Sequence, residues 1–298
     1  MPWLQLQIPA DPDTADQLED LLLEMGADAV TMEDAADDPI FEPDPGTTPL
    51  WGETRVTGLF DASRNGEELC SAIRSAWHQQ TQQDLPGIEI VLVEDKDWER
   101  AWMDEFHPLK YGERLWIVPS WHAAPDPDAA NLLLDPGLAF GTGTHPTTAL
   151  CLEWLDGMDV EGAKVIDYGC GSGILALAAL LLGASHAIGV DTDPQALEAS
   201  RDNAQRNQIS EGRLELYLPG DEPGTQADIL LANILAGPLI TLAPQLAQKV
   251  RPGGHVVLSG ILSWQARDVM SAYEPWFVMD EPEQREEWIR LTGRRIGG

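Results

Sequence analysis

Val165-Ile166-Asp167-Tyr168-Gly169-Cys170-Gly171-Ser172-Gly173 is the stretch that decides the fold. The apolar, β-branched pair Val165 and Ile166 reads as the end of a buried strand. Three alternating glycines follow, and then an apolar run, 174–182, of helical character. A strand therefore enters a tight turn, and the turn opens a helix. Glycine lets the backbone take positive φ and lets a ligand approach the main chain. The helix start adds N–H groups without intrahelical partners and a partial positive charge. A second apolar strand ends in Ile188-Gly189-Val190-Asp191, placing Asp191 eighteen residues beyond Gly173. An acidic residue there accepts hydrogen bonds from the two ribose hydroxyls of an adenosine-type cofactor.

The glycine spacing separates cofactor classes. The dinucleotide fingerprint is G-x-G-x-x-G, whereas this turn is Gly169-x-Gly171-x-Gly173 with Asp167 two residues ahead. That pattern is similar to motif I of the class I S-adenosylmethionine-dependent methyltransferases. A glycine triplet alone often serves only a turn. With Asp167 before it, Asp191 after it and a strand–turn–helix setting, it becomes a candidate adenosine site.

Outward from the turn, strands and helices alternate as in doubly wound α/β domains. Strands are predicted at 164–167, 186–191, 214–217, 228–232 and 254–259. Helices follow Gly173 and occupy 194–206, with Asp193 as cap and Pro194 in the first turn, and 237–250. Segments 276–279 and 287–291 read as a terminal antiparallel hairpin, which the methyltransferase sheet has and plain dinucleotide folds lack. Parallel strands put their ligand at the carboxyl ends. Gly169, Gly171, Gly173, Asp191 and Asn233 all fall there. Asn233 stands in Leu231-Ala232-Asn233-Ile234-Leu235-Ala236. Amino-directed methyltransferases carry Asn or Asp followed by Pro-Pro-aromatic at this point, and only the Asn matches. In isolation such a residue is a turn or cap. Beside a sulfonium its carbonyl can accept a hydrogen bond from an incoming amine and aim the nitrogen at the methyl group.

Ahead of this half lies a loop, 134–148, containing Gly137, Gly141, Gly143 and four threonines. Pro146 suits the first turn of the following helix, with Thr144 or His145 at the cap. So many hydroxyls and free N–H groups in one segment point to a loop that closes on the cofactor. His145 is read as capping or packing, not as a base.

The front of the chain reads β-α-β-β-α-β: strand 3–8, helix 15–25, strand 29–32, strand 55–60, helix 67–80 and strand 88–93. This is the ferredoxin-like pattern. An acidic, Pro-rich loop spans 33–52, and no lysine or arginine precedes Arg55. The module holds no catalytic constellation and reads as a docking module, or else as a solvated appendage. Segment 94–106 reads as a connecting helix with Trp98 and Trp102 on one face, and 115–118 as a strand. The domain reading is thus 1–94 for a ferredoxin-like substrate-recognition domain, 95–122 for a linker helix and strand, and 123–298 for the α/β enzyme domain.

Composition narrows the function classes. The 298 residues carry 50 acidic and 18 basic side chains, a formal charge of −32. That opposes affinity for nucleic acid phosphates. It leaves a basic macromolecular partner, adaptation to a salty cytoplasm, or both. Cys70, Cys151 and Cys170 form no C-x-x-C pair, and no histidine spacing suggests a metal. No apolar run approaches a membrane span and the N-terminus lacks a signal-like segment, so the expected location is the cytoplasm.

Taken together, the 134–148 loop, the Asp167–Gly173 motif and Ala232-Asn233-Ile234-Leu235-Ala236-Gly237-Pro238 resemble the ribosomal protein L-eleven methyltransferase family. Trp98 and Trp102, the front domain and the ending Trp288-Ile289-Arg290-Leu291-Thr292-Gly293-Arg294 agree. The resemblance implies S-adenosylmethionine as methyl donor. It implies a basic large-subunit ribosomal protein as acceptor, methylated on lysine ε-amines and the α-amino terminus and presented by the front domain. It places Thr144, Thr148, Gly169 and Asp191 at the cofactor and Asn233 near the methyl group. The lengthened acidic loop departs from the family pattern. No nucleic acid or membrane partner is expected, and the chain is expected to act as a monomer. Rival readings are a methyltransferase for a small molecule or nucleic acid, a nicotinamide-dependent oxidoreductase, and a ribosome-assembly binder that only senses the cofactor.

Overall fold

The computed structural model describes residues 2–36, 51–85, 87–93, 106–135, 143–210 and 212–297. Most of the acidic loop, the helix expected around Trp98 and Trp102, and Gly137 and Gly141 lie outside the described residues. The chain divides into two compact units, Met1–Glu105 and Phe106–Gly298.

The first unit contains β1 (Trp3–Ala10), α1 (Pro12–Glu24), β2 (Ala29–Asp34), β3 (Thr54–Asp61), α2 (Gly66–Thr81) and β4 (Glu89–Val93). The sheet order is β2-β3-β1-β4 and every neighbouring pair is antiparallel. β1 alternates, burying Leu4, Leu6 and Ile8 on one face, as a half-covered strand must. Leu18, Leu21 and Leu22 of α1 and Ile73 and Trp77 of α2 pack on that face. α1 starts where it does because Asp11 accepts the N–H groups of Asp13 and Thr14 while the Thr14 hydroxyl takes the Asp11 N–H, a reciprocal cap.

The second unit opens with a small sheet of β5 (Leu109–Tyr111), β6 (Leu115–Val118) and β7 (Ala130–Leu133). Residues 106–122, read from sequence partly as a linker, thus fold into this unit. β5 and β7 escape a periodicity reading because three or four residues give too little alternation. Next come α3 (Pro146–Gly157), β8 (Lys164–Tyr168), α4 (Ile174–Leu181), β9 (His186–Val190), α5 (Pro194–Arg206), β10 (Leu214–Tyr217), β11 (Ala227–Asn233), α6 (Ala236–Gln248), β12 (Val250–Leu262), α7 (Ala266–Tyr273), β13 (Phe277–Met279), β14 (Glu283–Arg285) and β15 (Trp288–Arg295).

The main sheet runs β10-β9-β8-β11-β12-β15-β13, with β14 also on β15. The five strands from β10 to β12 are parallel, and β15 enters antiparallel. The expected terminal hairpin has a third strand: the first half of β15 pairs with β14 and its second half with β13. Each strand of the centre sends alternate residues to two cores. Val165, Ala187 and Ile229 meet α3 and α4, while Ile166, Ile188 and Leu230 meet α6 and α7. Residues 174–180 of α4 are all buried, which is why that run is apolar all round. From β8 the chain winds out to β9 and β10. From β11 it winds the other way to β12. The winding reverses between β8 and β11, and α/β sheets hold their ligands at such a point, beyond the strands' carboxyl ends.

Candidate active site

Two turns face each other across that reversal. The first follows β8. Gly169, Gly171 and Gly173 all have positive φ, at 82°, 53° and 79°, so each position favours glycine. Gly169 and Cys170 donate to the Val190 carbonyl at 2.7 and 3.1 Å, joining the turn to β9. Gly171 N–H donates to Asp191 Oδ2 at 2.8 Å, and Asp193 N–H to Asp191 Oδ1 at 3.0 Å. Asp193 caps α5 through the Gln195 N–H, as the sequence suggested. An ionised carboxylate has about four acceptor sites, so Asp191 keeps capacity for ribose hydroxyls after taking two backbone N–H groups. From α5, Ser200 Oγ donates to Gly171 O at 2.8 Å and Asn203 Nδ2 to Ser172 O at 2.9 Å. Neither α5 residue was singled out in the sequence, because a polar side chain on a helix is usually solvated.

Asp167 lies beneath this turn and is buried. Its Oδ2 accepts the Ala176 N–H at 3.0 Å, and its Oδ1 is buried without a partner. Burial pushes its pKa up to about 7; the Ala176 N–H lowers it and the nearby charge of Asp191 raises it further. A buried carboxyl with one idle oxygen, close to a second carboxylate, suits a ligand that brings positive charge. An adenosine-bearing sulfonium meets both requirements of the turn, hydroxyls for Asp191 and a cation for Asp167.

The second turn follows β11. Asn233 ends that strand, and its Nδ2 donates to Thr148 Oγ1 at 3.2 Å. Thr148 is fully buried in the first turn of α3. Ile234, next in sequence, presses on the glycine turn: a Cβ on Gly169 would meet Ile234 Cγ2 at 2.2 Å. On its other side is Gly260 of β12, with φ of 80°, where a Cβ would meet the Ile234 carbonyl oxygen at 2.4 Å. The Asn233 turn is thus clamped between two glycines. Gly260 carries a sequence signal, a glycine inside an apolar strand, which marks a bulge or a close backbone approach. The β12–β15 register does shift there, between Leu258 and Ile261.

The described end of the 134–148 loop is pinned from both sides. Tyr111 Oη donates to Gly143 O at 2.7 Å, and burial raises its phenol pKa to about 12. His145, not Thr144, is the cap of α3: its Nδ1 accepts the Thr147 N–H at 3.3 Å and meets Thr147 Oγ1 at 2.8 Å. The ring packs edge-on against Trp288 at 4.8 Å, and burial lowers its pKa against the opposing pull of Glu286 and Glu287. Thr144 is exposed between Gly143 and that cap. The structure therefore brings Thr148 to Asn233, and Asp191 to Gly171. Tyr111 had no local signal, and Trp288 stood out only as part of the closing motif; the fold alone carries them to the loop.

A family model described as ribosomal protein L11 methyltransferase (PrmA) matches residues 2–296. The chain belongs to this family. It is similar to the ribosomal protein L11 methyltransferase of Marinobacter nauticus, at 78% identity over all of both chains. It is also similar to that of Pseudomonas aeruginosa, at 60% identity over 99% of both. Among solved structures, the ribosomal protein L11 methylase of Lactobacillus delbrueckii subsp. bulgaricus is 34% identical. It matches 64% of this chain and all of that one, with a TM-score of 0.59. As a member of the L11 methyltransferase family the chain is an enzyme, and its methyl donor is S-adenosylmethionine.

Proposed function

We propose that this chain moves methyl groups from S-adenosylmethionine to lysine ε-amines and the α-amino terminus of ribosomal protein L11, with Asn233 aiming the accepting nitrogen. The observation that carries the assignment is the hydrogen bond from Asn233 Nδ2 to Thr148 Oγ1. It uses one N–H of the amide and fixes the amide's orientation, which leaves its carbonyl oxygen as an acceptor at the reversal of the sheet. When bound, S-adenosylmethionine supplies a methyl group on a positively charged sulfur that a neutral amine displaces. Asp191 takes the ribose hydroxyls. Gly169, Gly171 and Gly173 let the main chain approach the donor, and Asp167 gives its positive charge a buried counter-charge. Thr144, exposed at the end of the loop, is the residue that closes over the donor, and Thr148, buried in α3, holds Asn233. A lysine amine has a pKa of about 10.4, so roughly one in a thousand is neutral at pH 7. Loss of water by the amine as it enters the site and the donor's charge push that pKa down, and the proton leaves through water. The Asn233 carbonyl accepts one N–H of the neutral amine and so directs its lone pair. Such placement is worth several orders of magnitude in rate.

The front unit, with its β-α-β-β-α-β order, is the ferredoxin-like domain that presents the substrate. The net charge of −32 favours a basic partner and opposes nucleic acid; the reading is completed by a cytoplasmic monomer that acts on that partner without a membrane. Methyl-labelled S-adenosylmethionine and unmodified L11, followed by mass spectrometry, tests the reading. Label on lysines and the N-terminus supports it; donor binding without label refutes the acceptor. Asn233→Ala is expected to lower kcat by about 10²-fold with donor affinity kept within a few-fold. Full turnover in that variant would sink the role of Asn233.

A further inference from the structure

Large apolar side chains left in water are ordinary when scattered. Two of them here are not scattered. Leu235 stands two residues beyond Asn233 and is 49% exposed. Trp264 stands two residues beyond the end of β12, the strand beside β11, and is 65% exposed. The Gly260–Ile234 contact brings the ends of these strands together. The register Asn233↔Ser259 and Leu262↔Trp288 puts both residues on the carboxyl edge of the sheet with the β14–β15 turn, Glu286 and Glu287. Ser263 N–H donates to the Glu287 carbonyl at 2.8 Å, so the turn bearing Trp264 is fastened to that acidic tip. The edge around Asn233 thus combines an indole, a leucine and two carboxylates.

We propose that Trp264 and Leu235 form the platform on which the acceptor lysine's methylene stem lies on its way to Asn233. This rests on the methyltransferase reading above and specifies how that site distinguishes its acceptors. A lysine is an apolar four-carbon stem ending in a cation. A tryptophan face suits both parts, through apolar contact along the stem and cation–π attraction before the proton is lost. Glu286 and Glu287 draw the ammonium to the same edge, and the acidic surface as a whole draws the basic protein that carries it. An α-amino terminus has no such stem. It reaches Asn233 without lying along the indole and depends on the platform less.

Trp264→Ala tests this, and because the indole is mostly in water the variant keeps its fold. With S-adenosylmethionine and unmodified full-length ribosomal protein L11, initial rates are read separately at the lysines and at the N-terminus by mass spectrometry. The variant is expected to raise KM at the lysines about tenfold, the scale of a lost cation–π and stem contact. Its loss at the lysines should exceed its loss at the N-terminus at least fivefold. Trp264→Phe should recover most of the lysine rate, and donor binding by calorimetry should be held by both variants. An equal loss at both kinds of amine, or no loss at the lysines, overturns the platform and leaves the methyltransferase reading standing. A wild-type protein that methylates no lysine overturns the acceptor assignment and the platform with it.

Discussion

The glycine turn at 169–173 and the turn at Asn233 follow neighbouring strands and make up the two halves of the proposed site, but they are held in different ways. The first is tied by polar bonds from close by: Val190 at the end of β9 with Asp191 just beyond it, and Ser200 and Asn203 on α5. The second is tied sterically, by Ile234 wedged between Gly169 and Gly260, and by one bond to Thr148, far off in the chain. Polar bonds tolerate small shifts because donors and acceptors can re-aim. A residue whose side chain is wedged against Gly169 and whose backbone is wedged against Gly260 has less slack. The donor half should therefore bend under substitution, and the acceptor half should break.

Gly260→Ala gives the largest expected effect. The residue has left-handed φ, and the added carbon meets backbone, which cannot swing away. Strain of about 1–3 kcal/mol adds to overpacking of about 1–3 kcal/mol, for a loss of about 4 kcal/mol. In a unit of this size that lowers the thermal midpoint by roughly 10 °C, readable by calorimetry. A midpoint within two or three degrees of wild type (roughly 1 kcal/mol) would show that the Ile234 peptide moves freely, and the comparison would fail.

Asp167 tests the donor half by charge. Its carboxyl titrates near 3.8 unfolded and near 7 folded. Between those values the folded chain holds a proton that the unfolded chain has released. This group's contribution is therefore most favourable below about pH 4, falls as pH rises to about 7, and is a standing penalty above. Asp167→Asn keeps an acceptor for the Ala176 N–H and removes the titration. At pH 8 the ligand-free variant should be more stable than wild type by up to about 4 kcal/mol. A cationic donor prefers the ionised carboxyl, so wild-type affinity for S-adenosylmethionine should climb between pH 5 and 7 while the variant's stays flat and weak. A wild-type affinity independent of pH in that window would remove Asp167 from the donor's surroundings.

The same contrast explains what could be read before folding. Asp167, the three glycines and Asp191 form a pattern within one βαβ unit, where spacing alone dictates geometry. Asn233 was legible as the end of a strand, but its partner Thr148 lies 85 residues away, and no local rule links them. Gly260 carried a signal of close approach without saying what approached. β5 and β7 were too short to show a period, and Tyr111 reaches Gly143 only because those strands form a sheet. In the front unit the reverse held. There the alternation in β1 and the cap at Asp11 specify their own surroundings.

Thr148→Val gives the smallest effect and the finest discrimination. Valine keeps the shape and deletes the hydroxyl that receives Asn233 Nδ2, so stability falls by about 1 kcal/mol. If Thr148 served the donor directly, as the family resemblance implied, affinity for S-adenosylmethionine would drop and kcat would hold. The geometry argues for the other outcome, because the buried hydroxyl is spent on Asn233. Released, the amide can turn its nitrogen toward the amine, which then meets a donor where it needs an acceptor. The expected result is a kcat lower by about tenfold with donor affinity within twofold. Combined with Asn233→Ala, the two losses should not add, since groups joined by one hydrogen bond act as a unit. Additive losses would separate Thr148 from Asn233 and return it to the donor half.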